Sequence, residues 1–509
     1  MRRLPVLVLL VFALAAALWG ALWRSAPDAQ STADAARDVE ARVRAACSTC
    51  HPFPPPDILP RSLWRVVIGD MVAAKARVAP RSFSMGFSVE EASAWYESQA
   101  PEKLPLAYTL TRRESGPLRF RRRQVRMGPD SEAGIATVQP VDASVVPGAD
   151  LVLAAPNMTT GGIHLITRPR GVHRIAEGQH PARVASGDMD GDGLADLVVS
   201  DLGNPLPTED RVGRVRVGIN RGNGDFAFET VLDGVGRVAD ARPVDLEGDG
   251  DLDLVVAAFG WLRSGGIYLL YNQTRPAGPL DFRVEKISHR PGAVSVLPVE
   301  GLGVGPGRGL AVAFSQHYEL VSLFYERAGR YEEHVVYRGP HPNWGVDNLS
   351  AVDFDGDSDT DFLLAHGDTL DDGFPFKFYH GVEWIENLGN AQFRAHRVGS
   401  LYGAHSAQAV DLDGDGDLDV VASSFLPQVN LSVSAQKLRL DSIVWFERTE
   451  AEWIPWSIEL NHPLHTGIAV VDFDQDGLPD IVAAVASDWE LKTPEPGPSV
   501  EVFFNEGAR

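Results

Sequence analysis

The chain has 509 residues, of which 44% are apolar and 23% are charged, and it contains 49 glycines and 35 prolines. This composition is typical of a turn-rich globular protein. The formal net charge of −23 argues against nucleic-acid binding, because a nucleic-acid backbone requires a basic surface.

Residues 1–28 are predicted to form a signal anchor or a signal peptide. The stretch "MRRLPVLVLLVFALAAALWGALWRS" places two arginines before a long apolar run, which is sufficient to cross a bilayer as a helix with its positive end inside. A cleaved signal peptide would normally have a shorter apolar core and an A-x-A-like site, and no clear site of that kind is present. Both interpretations predict a periplasmic location, and the first predicts attachment to the inner membrane.

Both cysteines of the chain lie in the stretch "CSTCH", as Cys47 and Cys50, and His51 follows directly. C-x-x-C-H is the attachment signature of c-type haem. A thioredoxin-like motif would require a βαβ setting, and a zinc site would require two further ligands that no second cysteine pair supplies. A disulfide across two residues would be strained. The motif therefore predicts one covalent haem c, with His51 as an iron ligand.

Three helix candidates surround the motif, at 34–46, 60–79 and 88–99, and Ser88 and Glu91 form a capping box before the last of them. Residues 36–105 resemble a c-type cytochrome domain that is joined to β-propellers in bacterial proteins, because "CSTCHPFPPPDILPRSLWRVVIGDM" repeats its order of CxxCH, proline-rich turn, Trp and Met. The resemblance implies Met71 as the second axial ligand, with Met85 as the alternative. Histidine–methionine ligation favours electron transfer.

Five acidic segments recur along the remainder of the chain, each followed at once by an apolar run. They are "DMDGDGLAD" at 188–196, "DLEGDGDLD" at 245–253, "DFDGDSDTD" at 353–361, "DLDGDGDLD" at 411–419 and "DFDQDGLPD" at 472–480. Weaker copies begin at Val141 and Val299. Together these segments mark seven units at similar spacing, each with short β-like runs. They predict a mainly β fold, namely a seven-bladed β-propeller over residues 106–509.

The last unit ends before its outer strand, so the segment 117–126 is predicted to close the ring as that strand. Its five arginines then have a simple explanation as charges that protect an exposed strand edge from pairing. An anion-binding site remains the alternative interpretation. These arginines are Arg119, Arg121, Arg122, Arg123 and Arg126.

The pattern D-x-D-x-D-G-x-x-D is that of a calcium loop, with side-chain oxygens at positions 1, 3, 5 and 9 and a backbone carbonyl at position 7. Ser358 replaces the glycine of one loop, which is expected to bend differently, and Gln475 stands at a non-ligand position. The expected ligands for about five Ca²⁺ are Asp188, Asp190, Asp192, Leu194 and Asp196; Asp245, Glu247, Asp249, Asp251 and Asp253; Asp353, Asp355, Asp357, Asp359 and Asp361; Asp411, Asp413, Asp415, Asp417 and Asp419; and Asp472, Asp474, Asp476, Leu478 and Asp480.

These loops and strands resemble the FG-GAP and VCBS repeats, whose calcium loops also occur in the propellers of integrin α-chains. The stretch "DLVVAAFGW" at 253–261 retains the FG of that family. The resemblance implies fold and calcium binding and says little about activity, because function depends on sites added to a fold.

The face opposite the calcium loops is the candidate location for a second site. The long loop "AHGDTLDDGFPFKFYHG" at 365–381 is either a solvated loop or a binding or catalytic mouth. The candidate residues of this face are His366, Asp368, Asp371, Asp372, Lys377 and His380, together with Asp347, Asn348 and His405.

The first functional hypothesis is a membrane-tethered haem protein that transfers electrons to a periplasmic redox partner, with the propeller as docking or substrate-binding platform. One alternative is a haem-coupled oxidoreductase whose small-molecule or carbohydrate ligand binds at the mouth. The other is a non-redox binding or adhesion scaffold. No set of catalytic residues can be named from the sequence.

Overall fold

A computed structural model describes residues 29–49, 51–78, 84–106, 116–128, 134–275, 278–300, 302, 309–370, 374, 376–427, 439–486 and 499–508. The described residues form two compact units. The first contains residues 29–49 and 55–103, and the second contains residues 51–54 and 104–508. The signal segment 1–28 and Cys50 lie outside the described residues.

The first unit contains three helices, α1 (Ala29–Cys47), α2 (Trp64–Val78) and α3 (Val89–Gln99), with short 3-10 turns at Pro56–Ile58 and Arg61–Leu63. The helices lie close to the predicted segments, although the turn at Arg61 delays the start of α2. Helix α3 begins with the predicted capping box, in which the Ser88 hydroxyl accepts from the Glu91 amide. Among the described residues, no helix is both long and apolar enough to cross a bilayer.

The core of this unit is aromatic. Trp64 and Tyr96 are fully buried, and their rings stack with centroids 3.9 Å apart. The Trp64 indole also donates to the Pro56 carbonyl at 3.0 Å, which fixes the proline-rich turn against the start of α2. A second bond, from the Arg61 amide to the Pro101 carbonyl at 2.8 Å, joins the start of α2 to the residues that follow α3.

The second unit is a seven-bladed β-propeller of four-stranded antiparallel sheets, as the repeat predicts. Six blades use four consecutive strands each. Blade 1 has β2 (Gln139–Val141), β3 (Leu151–Pro156), β4 (Gly162–Arg168) and β5 (Gly171–Glu177); blade 2 has β6 (Pro181–Gly187), β7 (Asp196–Asp201), β8 (Gly213–Asn220) and β9 (Phe226–Val235); and blade 3 has β10 (Val238–Val244), β11 (Asp253–Ala258), β12 (Gly266–Asn272) and β13 (Phe282–Ser288).

The next three blades repeat this order. Blade 4 has β14 (Ala293–Val299), β15 (Gly309–Phe314), β16 (Leu320–Arg327) and β17 (Arg330–Arg338); blade 5 has β18 (Val346–Val352), β19 (Asp361–His366), β20 (Gly381–Asn387) and β21 (Phe393–Ser400); and blade 6 has β22 (Ala404–Val410), β23 (Asp419–Ser424), β24 (Asp441–Arg448) and β25 (Trp453–Leu460).

Blade 7 is built from both ends of the propeller unit. It contains β26 (His465–Val471), β27 (Asp480–Val485) and β28 (Val500–Ala508), and its outer strand is β1 (Leu118–Val125). Strand β1 runs antiparallel to β28, with Arg122 opposite Phe503 and Val125 opposite Val500. This is the position that the sequence predicts for the segment 117–126.

The core consists of apolar layers between neighbouring blades. The second strand of a blade is buried along its whole length in blades 2 to 7, since both of its faces are covered by adjacent blades. This explains why the acidic segments are followed by uninterrupted apolar runs. One layer contains Leu153 of blade 1 and Val482 of blade 7, so the ring is closed by packing as well as by β1.

Leu118 is expected to contribute strongly to ring closure, because it is buried with Ile468 and Phe503 between blades 6 and 7. Leu118→Ala should lower the free energy of unfolding by about 2–5 kcal/mol. The neighbouring Arg119 is exposed, so Arg119→Ala should stay within about 0.5 kcal/mol of the parent protein. Chemical denaturation measures both variants, and equal stabilities would contradict the packing role of β1.

Candidate functional site

The five acidic loops lie between the first and second strands of blades 2, 3, 5, 6 and 7. Their first carboxylates fold the turn by accepting backbone hydrogen bonds. Asp188 accepts from the Gly191 amide at 2.8 Å and from the Gly193 amide at 2.9 Å. Asp353 and Asp411 make the same pair of contacts within their own loops.

Four of the five loops bring three carboxylates together, with the ligand atoms of each group within 4.8 Å of one another. These groups are Asp188, Asp190 and Asp196; Asp353, Asp355 and Asp357; Asp411, Asp413 and Asp415; and Asp472, Asp474 and Asp480. Within the described residues, the loop 245–253 does not form such a group. Its third position is Glu247, whose carboxylate lies 3.8 Å from the Arg283 guanidinium.

The two irregular loop positions keep the bend of the others. Ser358 adopts a φ of 73° where the glycines of other loops have similar positive values, so the expected difference in bending is not found. Gln475 has a φ of 66°, and its side-chain amide donates to Asp150 of blade 1 at 2.7 Å. Gln475 therefore links blade 7 to blade 1, a role that its non-ligand position does not indicate.

The aspartate at the ninth position of each acidic loop accepts backbone hydrogen bonds, in addition to its expected role as a calcium ligand. Asp196 is fully buried, and its two oxygens accept from the Met189 amide and the Asn220 amide, both at 2.8 Å. The first amide belongs to the same acidic loop and the second to the end of the third strand. The equivalent aspartates Asp253, Asp361, Asp419 and Asp480 each make the same two contacts.

In blades 3 and 7, a residue at or near the end of the third strand then reaches the preceding blade. The Asn272 side chain donates to the Met189 carbonyl, and the Asn505 side chain donates to the Leu412 carbonyl, both at 3.0 Å. In blade 1, Arg168 donates to the Asp472 carbonyl of blade 7 at 2.7 Å. The acidic loops are thus among the points at which neighbouring blades are hydrogen-bonded to each other.

Burial and mutual repulsion disfavour the charged form of several loop carboxylates. Burial raises the pKa of Asp196 to about 6 and that of Asp419 to about 7, with nearby loop aspartates adding to the shift. Burial likewise raises the pKa of Asp190 and Asp413. A bound cation would offset this penalty, and clustered oxygen donors are the ligands that Ca²⁺ prefers. The residues present therefore fit calcium.

The predicted haem residues are only partly described. Cys47 is the last residue of α1, and it is buried beside Tyr96, whose pKa is raised by burial first and by this thiol second. Met71 lies in α2 and Met85 precedes α3, and both are half-buried. His51 belongs to the second unit, where its ring centroid lies 6.2 Å from that of His317.

Three candidate residues of the loop 365–381 are buried, whereas the side chains of a solvated loop would be exposed. His366 and His380 are fully buried, Lys377 is 1% exposed, and Asp371 and Asp372 lie outside the described residues. Arg397 donates to Nε2 of His366 at 2.8 Å. Burial, together with the Arg397 charge, holds the pKa of His366 well below its usual range, so this imidazole is a neutral acceptor.

Aromatic side chains that the sequence did not single out surround these histidines. Trp344 stacks on His366 at 4.3 Å and lies nearly parallel to Tyr379 at 5.7 Å, while His341 meets Tyr379 edge-on at 4.4 Å. Neither ring nitrogen of His380 has a hydrogen-bond partner. We call these five residues the mouth cluster. In the sequence, the string "HPNW" at 341–344 could have pointed to this cluster, because it contains two of its members.

Beside the mouth cluster, the first strands of blades 5 and 6 bring a carboxyl group and an imidazole together. His405 Nε2 lies 3.1 Å from Asp347, and each residue stands at the irregular second position of its strand. Burial raises the pKa of Asp347 well above its usual value, with Asp368 adding to the effect and Arg183 opposing it. Two candidates of the predicted face are therefore in contact. Asn348 is the next residue of the same strand, opposite Ala365.

Comparison with known families identifies FG-GAP-like repeats in this chain, at residues 188–256 and 353–422. These segments include four of the five acidic loops. No curated protein matches the chain.

Among solved structures, the chain is similar to one from the crystal structure of BBS1N in complex with ARL6DN, soaked with mercury. The two are 12% identical with a TM-score of 0.42, over 74% of this chain and 94% of the other. This distant similarity indicates nothing about ligands or partners.

Proposed function

We propose that the chain is an extracytoplasmic binding scaffold, a β-propeller that calcium stabilises and that binds a polar small molecule or carbohydrate at the mouth cluster. The observation that carries the proposal is His380, which is fully buried and has two unpartnered ring nitrogens. A buried polar group without a partner costs free energy. A ligand that hydrogen-bonds to His380 removes that cost.

The surroundings of His380 favour a ligand with both apolar and polar faces. Aromatic rings supply apolar contact area, while hydroxyl groups of a sugar supply hydrogen-bond donors and acceptors. Burial, together with the Lys377 charge, holds the pKa of His380 well below its usual range, so the ring presents one donor and one acceptor. A neutral polyhydroxylated molecule matches this pair better than an anion does.

The acidic loops supply the calcium sites in this proposal. The four convergent groups offer carboxylate oxygens, and in each loop the ninth aspartate already fixes the second strand to the turn. Calcium supplies a positive charge that offsets the repulsion between these carboxylates. By binding the folded loop only, the ion stabilises the blade junctions described above.

A second candidate function is electron transfer by a haem attached to the helical unit. The motif of Cys47, Cys50 and His51 favours it, and the burial of Cys47 at the end of α1 is compatible with a thioether bond in the interior. A haem with histidine and methionine ligands exchanges one electron at a raised potential. The partner would be a periplasmic redox protein, with the protein held at the inner membrane by residues 1–28.

Ligand binding is expected to depend on His380. His380→Phe keeps the volume and removes two unpartnered nitrogens, so stability should be unchanged or slightly higher. Affinity should fall by about 5-fold or more, because one buried hydrogen bond contributes about 1 kcal/mol or more.

The measurement is saturation-transfer NMR against neutral mono- and oligosaccharides, with His173→Ala as the control because His173 is exposed on blade 1. Absence of binding in the parent protein, or equal binding by His380→Phe, would contradict the mouth assignment.

Calcium removal is expected to lower the melting temperature, and metal analysis should find four tightly bound ions with a fifth, weaker one in the loop 245–253. Two variants separate the roles within one loop. In EGTA, Asp196→Ala should lose about 2–6 kcal/mol, because two buried amides lose their acceptor. Asp190→Ala should lose less than about 1 kcal/mol in EGTA.

In calcium, both variants should bind one ion fewer than the parent protein. A protein that contains no calcium and melts identically with and without EGTA would overturn the calcium proposal.

The haem proposal predicts a covalent cofactor that acid acetone does not extract from the denatured protein. Met71→His should keep the haem but lower its reduction potential, because imidazole donates more strongly than a thioether. The weak sulfur-to-iron absorption band should disappear in this variant and persist in Met85→His. The opposite pattern would assign Met85 as the ligand, and extractable or absent haem would refute electron transfer by this unit.

A further inference from the structure

A group of metal-binding side chains lies between blades 6 and 7 and is separate from the acidic loops. Glu459 is near the end of β25, His462 is in the connection that follows, His465 begins β26, and Glu501 is on β28. Their ligand atoms all lie within 4.8 Å of one another. We call these four residues the blade 6–7 cluster.

The cluster is mostly shielded from water. His465 and Glu501 are fully buried, Glu459 is 8% exposed, and the His462 side chain is 31% exposed. His462 therefore forms the outer side of the group, from which an ion can approach. Three buried donors and one accessible donor are an arrangement suited to an ion that comes from solvent.

The distances leave donor atoms unused at the centre of the cluster. His462 Nδ1 lies 3.6 Å from Glu459 and 3.6 Å from Glu501, which is too long for a hydrogen bond. Neither His462 Nδ1 nor Oε2 of Glu501 has a hydrogen-bond partner. Oε2 of Glu501 lies 3.6 Å from His462 Nδ1 and 3.8 Å from the Arg122 guanidinium, both beyond hydrogen-bond distance, so a bound cation would give this buried oxygen a direct partner.

Outer contacts hold the same side chains in place. His465 Nδ1 lies 3.2 Å from the Ala484 carbonyl, to which it can donate, and Nε2 lies within hydrogen-bond distance of Glu459 at 2.6 Å. Gln124 of β1 donates to the other oxygen of Glu501 at 3.0 Å. Imidazoles that donate to a carbonyl and carboxylates that accept from an amide are the usual supports of metal ligands.

Arg122 of β1 also contacts the cluster, through a 2.5 Å bond to Oε1 of Glu459. With two carboxylates and one guanidinium, the neutral-histidine state has one excess negative charge. A divalent cation reverses that imbalance, and Arg122 then limits the cluster to a single ion by repelling a second. Oε2 of Glu459, Oε2 of Glu501 and the two imidazoles remain for coordination.

We propose that the blade 6–7 cluster binds one divalent transition-metal ion of the zinc class, with Glu459, His462, His465 and Glu501 as its ligands. Two nitrogen and two carboxylate donors suit zinc and its neighbours, whereas calcium prefers oxygen alone. Donors about 2.1 Å from a tetrahedral ion lie about 3.4 Å apart, close to the two 3.6 Å separations. On binding, the ion replaces the 2.6 Å hydrogen bond between His465 Nε2 and Glu459, and the proton of that bond is released to solvent.

The ion joins the two blades at the ring closure. Glu459 is contributed by blade 6 and Glu501 by blade 7, while Arg122 and Gln124 of the closing strand β1 support both carboxylates. Metal binding at this position therefore stabilises the junction that depends on a strand from the other end of the propeller unit. This site is independent of the mouth cluster and of calcium.

The test uses the full-length protein, treated with the transition-metal chelator TPEN in excess Ca²⁺ so that the acidic loops stay loaded. Titration with Zn²⁺ against a chromophoric indicator should show one high-affinity equivalent, and the melting temperature should rise on binding. His462→Ala should weaken Zn²⁺ binding by more than the roughly 10–100-fold that loss of an outer-shell partner costs. His173→Ala should bind as the parent protein does.

Glu501→Gln keeps the side-chain shape and provides a second variant if His462→Ala folds poorly. It should also lose the high-affinity equivalent, and the zinc X-ray absorption spectrum of the parent protein should show two imidazoles with oxygen donors and no sulfur. A parent protein without a high-affinity equivalent, or variants that retain it, would overturn the proposal. In that case a proton on His462 compensates the carboxylates instead.

Discussion

The ninth-position carboxylate of each acidic loop is removed from water and accepts two backbone hydrogen bonds, and much of the propeller follows from this constraint. A buried charge must be paired with donors. In blade 2, Asp196 obtains them from the amides of Met189 and Asn220, which fixes the loop to the end of the third strand. The remaining loop carboxylates are then held together at the surface, where a bound cation would lower their repulsion. Asparagine or arginine side chains extend the same network to the preceding blade.

The repeat made the fold predictable from the sequence. Five acidic turns followed by apolar runs, with two weaker copies, mark seven units, and this recurrence specifies both the strand order and the burial of the second strands. The outer strand β1 could be anticipated because the last repeat lacks one. The backbone hydrogen bonds of Asp196 could not be anticipated in the same way. In the sequence pattern, an aspartate that accepts from backbone amides stands at the same position as one that is expected to bind a cation. The failure of the loop 245–253 to converge also depends on a contact between distant residues, Glu247 and Arg283.

The two clusters outside the acidic loops show where a single sequence stops being informative. His366 and His380 were recognised as candidates, but their burial against Trp344 and Tyr379 depends on how blade 5 packs. Glu459, His462 and His465 have a regular spacing of three residues, yet Glu501 joins them only through the pairing of β27 with β28. In both clusters the informative feature is a buried polar atom without a partner, which only three-dimensional contacts identify.

The central claim is that the propeller is a scaffold whose acidic loops bind calcium while their ninth aspartates hold the blades. Long-wavelength anomalous diffraction from crystals grown in calcium tests it most directly. The account predicts anomalous density beside Asp188, Asp353, Asp411 and Asp472, with the carboxylate of Asp196 still bonded to the Met189 and Asn220 amides. Ordered acidic loops without density at any of these four positions would contradict it.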